Sequence, residues 1–198
     1  MKTSHVVAAV VLASTVLLSQ SAGVAQQKSS NKKLIERGKW LVNLGGCNDC
    51  HSPKKFGPQG PMVDETRLLS GAPSHNPVPE IPKGVIGMEP NKWFGFYSAD
   101  LTTWVGSWGV SFARNLTPDV ATGLGSWTDA MFIKTLRVGK HMGEGRQLLP
   151  PMPWENFGRL NDADLKAIFA YLKSLPPIEN AVHDPISPTG ENIPTPTK

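Results

Sequence analysis

Hydrophobic and polar positions repeat with a helical period in three stretches of the chain and with no sustained period between them. From Lys32 to Leu44, Leu34, Ile35, Gly38, Leu41 and Val42 recur at spacings of three and four, and Trp40 and Leu44 extend the stripe. Gly45-Gly46 predicts the end of this helix. Glycine in mid-helix costs about 1 kcal/mol against alanine, so Gly38 is expected where another element approaches closely. A second helix is predicted to open at Ser126-Trp127-Thr128-Asp129, to carry Phe132, Ile133 and Leu136, and to stop at Gly139. A third, capped by Asn161 and Asp164, lines up Leu165, Ile168, Phe169, Leu172 and Leu175 and ends at Pro176-Pro177.

The intervening segments are punctuated by proline and glycine. Phe56 to Pro61 reads as a rigid, turn-rich loop. Residues 62–112 read as an ordered but irregular insertion rich in Pro, Gly and Trp, with a short hairpin around Leu101 to Val110 and its tryptophans in the core. Leu148 to Trp154 is a stiff extended loop, because each proline restricts itself and its predecessor. Beyond Ile178 the Pro-rich composition predicts a disordered tail.

Residues 1–25 have the form of an export signal: Lys2, an apolar run from Val6 to Leu18, and small residues Gly23-Val24-Ala25 before a cut ahead of Gln26. The run is shorter than the roughly 20 apolar residues that span a bilayer, so membrane contact is expected only if the segment is retained. The predicted organisation is a signal at 1–25, a polar linker at 26–31, one domain at 32–178 and a tail at 179–198. The location expected is the periplasm. The formal net charge of +4 contains no block of Lys and Arg, and a nucleic-acid role is not expected.

The chemistry concentrates at Cys47-Asn48-Asp49-Cys50-His51, which holds both cysteines of the chain. Two thiols separated by two residues and followed by histidine form the pattern for covalent attachment of a c-type haem. Each thiol adds to one vinyl group, and His51 offers an imidazole nitrogen to the iron. A thioredoxin-like pair, half of a zinc site and a local disulfide are the competing readings of Cys47 and Cys50. Each lacks its usual surroundings, since no strand-helix-strand pattern adjoins the motif and His75, His141 and His183 are scattered singly. One covalent haem c is therefore predicted, with Cys47 and Cys50 binding it and His51 on the metal. A metal-bound histidine donates its second ring nitrogen to an oxygen, and the carbonyl of Pro58 or Pro61 is the candidate acceptor. For the sixth ligand, Met152 stands out because Pro151 and Pro153 pre-set its backbone. Met142, His141 and an open site are the alternatives. Arg137 and Arg146 are candidates for partners of the haem carboxylates or for solvated charges.

Arg37-Gly38-Lys39-Trp40-Leu41, the Cys47 to His51 motif, Pro151-Met152-Pro153 and the closing helix from Leu160 to Leu172 make the chain resemble class I c-type cytochromes. Asn115-Leu116-Thr117-Pro118-Asp119 with Gly123-Leu124-Gly125-Ser126-Trp127-Thr128 is similar to the haem domains that accompany bacterial periplasmic dehydrogenases. The resemblance implies an all-α fold in which the first and last helices cross over the haem, at Gly38 and Tyr171 or Phe169. It also implies an electron carrier rather than an enzyme, with a dehydrogenase, reductase or oxidase as redox partner. A haem enzyme such as a peroxidase or sulfur-oxidising subunit, or a gas or redox sensor, would require an open sixth site.

Overall fold

A computed structural model describes residues 27–78, 80–81 and 83–194, and the predicted export signal and the last four residues lie outside them. Helix α1 spans 27–44. The predicted linker is thus helical from residue 27, where Gln27 to Asn31 are exposed and include no Gly or Pro to break the helix. Gly38, Leu41 and Val42 are its buried residues among those that carry the predicted stripe.

The last helix, α5 (Asp162–Ser174), is capped by Asn161, whose side chain accepts a hydrogen bond from the Asp164 amide at 2.8 Å. It buries Leu165, Ala167, Ile168, Phe169, Tyr171 and Leu172. Helix α1 crosses it at Gly38, where a Cβ would stand 1.9 Å from the Ala167 carbonyl oxygen and 2.8 Å from Tyr171 Cβ. Glycine is needed there because backbone meets backbone. Of the two aromatics expected opposite Gly38, it is Tyr171 that lies there, by its Cβ. Arg37 pins the crossing through Nε to Asp164 Oδ1 at 2.8 Å and Nη2 to Oδ2 at 3.2 Å. Helix α3 (Asp129–Val138) starts at Thr128, whose hydroxyl accepts from the Met131 amide at 3.2 Å, and ends at Gly139 in the left-handed conformation. Its Phe132 stacks on Phe169 of α5, with ring centroids 5.0 Å apart. Leu69, Leu124 and Leu136 complete this core with the buried faces of α1 and α5.

The all-α expectation is overturned. Strands β1 (Lys54–Gly57) and β2 (Gly60–Val63) form an antiparallel hairpin, and β3 (Gly95–Tyr97), β4 (Thr103–Gly106) and β5 (Gly109–Phe112) form a three-stranded antiparallel sheet. These strands are three or four residues long, too short to display a period of two. Every residue of β5 is buried, which removes the polar alternation as well. The hairpin expected around Leu101 to Val110 is the β4–β5 pair. The loop expected at Phe56 to Pro61 is the turn of β1 and β2.

Two further expectations fail for physical reasons. Through residue 194 the tail is ordered against the sheet: Val110 and Ile186 exchange backbone hydrogen bonds of 2.8 and 3.0 Å. Asn180, 3% exposed, donates to the carbonyls of Ser70 (2.7 Å) and Ala72 (2.8 Å) and accepts from the Ser74 amide (3.0 Å). A buried side-chain amide satisfied three times holds the segment in spite of its prolines. None of the six tryptophans is fully buried; Trp40 and Trp93 are exposed and the rest half-buried. Among the described residues no helix is long and apolar enough to cross a membrane.

Candidate functional site

Cys47, Cys50 and His51 lie together on a one-turn helix, α2 (Cys47–His51). It follows α1 through Gly45 and Gly46, and Gly46 takes a φ of 64°, which favours glycine. At its other end the Lys54 ammonium donates to the carbonyls of Asn48 (3.3 Å), Asp49 (2.9 Å) and Ser52 (2.5 Å), filling acceptors that a short helix leaves open. Both cysteines are free thiols. Burial raises the Cys47 thiol to about 11, and burial also raises Cys50. A thiol-disulfide catalyst requires the opposite, a thiolate made accessible at neutral pH. Among the described residues no group of three His, Cys, Asp or Glu converges as a metal cage.

His51 is oriented from a distance in sequence. Its Nδ1 lies 2.7 Å from the carbonyl oxygen of Arg114, 63 positions later. A carbonyl only accepts, so Nδ1 carries the proton and Nε2 keeps its lone pair. Burial lowers the imidazole pKa, opposed by this hydrogen bond, which favours the neutral ring that binds metals. The acceptor is therefore not the carbonyl of Pro58 or Pro61.

Backbone stitching explains how Arg114 reaches His51. The Gly71 amide donates to the His51 carbonyl at 2.7 Å, Ala72 to Ala113 at 2.8 Å and Leu116 to Leu69 at 2.9 Å. Segment 69–72 thus runs between α2 and 113–116. A Cβ at Gly71 would meet Ala113 O at 2.6 Å, Arg114 C at 2.7 Å and Asn115 N at 2.8 Å, so this seam requires glycine. Asn115, 3% exposed, fixes the far side: its Oδ1 accepts from the Thr117 amide (3.0 Å) and hydroxyl (2.8 Å), and its Nδ2 donates to Ile178 O (2.8 Å). The Asn115-Leu116-Thr117 motif therefore acts as a local clamp.

Met152 lies in the loop between α3 and the short helix α4 (Trp154–Phe157), and its side chain packs against the same core cluster that Cys47 borders. Met62 and Met88 are surface residues, 53% and 75% exposed. Met142 has a left-handed backbone, φ 54°, in a turn after α3. Next to it, His141 Nδ1 is buried without a hydrogen-bond partner among the described residues, and its ring packs edge-on against Trp127. Burial, then the charges of Arg146 and Arg114, lower His141 to about 4, so the ring is neutral at pH 7. Of the arginines, Arg137 is taken by Gly158 O and Asp162. Partial burial, then the charge of Arg114, lowers half-buried Arg146 to about 10.

No protein-family model matches the chain. Over 156 residues, 78% of its length, it is 26% identical to the gluconate 2-dehydrogenase cytochrome c subunit of Pantoea cypripedii. Over 155 residues, also 78%, it is 26% identical to the cytochrome c subunit of the quinone alcohol dehydrogenase of Gluconobacter oxydans. A shorter stretch of 70 residues, 35% of the chain, is 41% identical to a nicotinate dehydrogenase subunit of Pseudomonas putida. The chain is a relative of dehydrogenase cytochrome c subunits. It spans 26%, 24% and 6% of the lengths of these three relatives.

For a relative of cytochrome c subunits, Arg114 is the residue that motif reading passed over. A signal for it was present in Asn115-Leu116-Thr117, whose side chains favour a local turn that fixes the preceding carbonyl. The distance in sequence concealed which side chain that carbonyl serves.

Proposed function

We propose that this chain is an exported electron-transfer protein carrying one covalent c-type haem. Cys47 and Cys50 hold the haem, and His51 Nε2 and Met152 bind its iron. The observation that carries the reading is the His51 hydrogen bond to Arg114 O at 2.7 Å, which leaves Nε2 as a lone pair on the helix that bears both thiols. The residues also fit the charge of the group. Arg114 is half-buried, donates to the carbonyls of Val182 (3.2 Å) and His183 (3.1 Å), and makes no ion pair among the described residues. A partly desolvated cation without an ion pair is costly, and a haem carboxylate would compensate it. When bound, the haem supplies one-electron chemistry, while this chain sets its ligands, its charge and its access to water.

Names of relatives support a dehydrogenase as the electron donor. The protein is then a carrier rather than a catalyst, and the apolar run Val6 to Leu18 supports a periplasmic setting. Methionine on the iron leaves no position for substrate. Purified reduced protein should show a low-spin spectrum that carbon monoxide leaves unchanged, and it should not turn over peroxide. Ready binding of carbon monoxide together with peroxide turnover would replace the carrier reading with an enzyme or sensor.

A further inference from the structure

The loop that carries Met152 is poor in hydrogen-bond donors. In Leu149-Pro150-Pro151-Met152-Pro153 the prolines have no backbone N–H, so a neighbouring element holds this stretch chiefly through its carbonyls. Two bonds of the loop are local: the Met152 amide donates to Leu149 O at 3.3 Å and the Trp154 amide to Met152 O at 2.9 Å. An anchor from outside comes from Ser111 of β5, 39 positions before Pro150 and only 8% exposed, whose hydroxyl donates to the Pro150 carbonyl at 2.6 Å. A carbonyl only accepts, so the hydroxyl proton is committed to it, and the same oxygen accepts from the Trp108 indole Nε1 at 3.3 Å.

Trp108 is itself seated by the sheet. Gly95 of β3 and Gly106 of β4 are register partners, and a Cβ at either would meet the indole, so these two glycines form the floor on which the ring lies. Phe94 packs against it with ring centroids 5.2 Å apart. Side chains alternate along a strand, and the neighbours of Ser111, Val110 and Phe112, pack together in a separate cluster with Ala72 and Val182. Ser111 is thus the residue of β5 that the sheet turns toward the methionine loop.

We propose that Ser111, oriented by Trp108, is a positioning residue for Met152, and that the three-stranded sheet braces the sixth ligand of the iron. The proposal rests on the reading of Met152 as that ligand. The brace acts only as far as the Ser111–Pro150 bond is made with the thioether on the iron and lost when it leaves, because a contact equal in both states shifts nothing.

The test titrates the ferric full-length protein, made in a host competent in cytochrome maturation, with imidazole, a nitrogen ligand that suits iron, and follows the weak long-wavelength band of thioether ligation. In Ser111→Ala the imidazole concentration that removes half of the band should fall about fivefold, the shift that one hydrogen bond of ordinary net strength supplies. Val110→Ala, on the other face of the same strand, should lower the melting temperature and leave the imidazole midpoint at the wild-type value. A wild-type midpoint in Ser111→Ala, or an equal fall in both variants, would overturn the proposal and leave Ser111 as a tie within the fold. If Ser111→Ala does not fold, Trp108→Phe decides, since it removes the indole donor and keeps an aromatic ring: a lowered midpoint supports the proposal and an unchanged one overturns it. Absence of the thioether band from the wild-type protein would instead remove the reading of Met152 as the ligand, a result distinct from either.

Discussion

Replacing Met152 with alanine should leave the haem covalently attached and open the sixth position of the iron. The thioether is neutral and soft, so it stabilises ferrous over ferric iron and blocks exogenous ligands. Its loss should lower the potential by on the order of 0.1 V, within the range of about 0.8 V that axial ligands span. Carbon monoxide should then bind the reduced protein, and the weak long-wavelength band of ferric-thioether ligation should vanish. The side chain also packs against the core cluster that includes Leu41 and Phe132, so some stability should be lost with it. Met142→Ala is the control and should change neither spectrum nor carbon monoxide affinity. The assignment fails if the Met142 variant loses the band and the Met152 variant keeps it.

Gly38→Val should destabilise the protein by about 3 kcal/mol, at the upper end of what overpacking usually costs. A Cβ there meets the Ala167 carbonyl oxygen at 1.9 Å, and the neighbour is helix backbone, which cannot rotate aside as a side chain can. Relief requires α1 and α5 to move apart, exposing Leu41, Val42, Ile168 and Tyr171. The adjoining Arg37–Asp164 pair would lengthen with them. Gly38→Ala gains about 1 kcal/mol of helix propensity and should still be destabilised, because the overlap arises at Cβ itself. Denaturant midpoints measure both variants, and midpoints equal to wild type would mean that the helices do not meet at this residue.

Much of this was legible in the residues because it is local. Gly45-Gly46 ends α1, Thr128 and Gly139 bound α3, and Asn161 caps α5, each through contacts spanning a few positions. Gly38 could be read as a crossing because glycine in an amphipathic helix demands a reason, and here the reason is the backbone of Ala167. What escaped is either short or distant. The strands of three or four residues are too brief to show their period, so an all-α expectation replaced them. Asn180 holds the C-terminal segment by bonds to Ser70 and Ala72, more than 100 positions away, which no composition reveals. The nearest proline loop, which suggests an acceptor for His51, is a β-hairpin, and the acceptor arrives from Arg114.

The same division explains the site. Cys47, Cys50 and His51 lie close together in sequence, so one motif announces them, and their helix is bounded locally by Gly46 and Lys54. Arg114 reaches His51 through the folding of a distant segment, and nothing in their spacing marks them as a pair.

The measurement closest to the central claim is the mass of the denatured, purified chain from a host that matures c-type cytochromes. The account predicts one haem that survives denaturation on the wild-type chain and none on the Cys47→Ala/Cys50→Ala variant. A wild-type mass without haem, or haem released on denaturation, would contradict it.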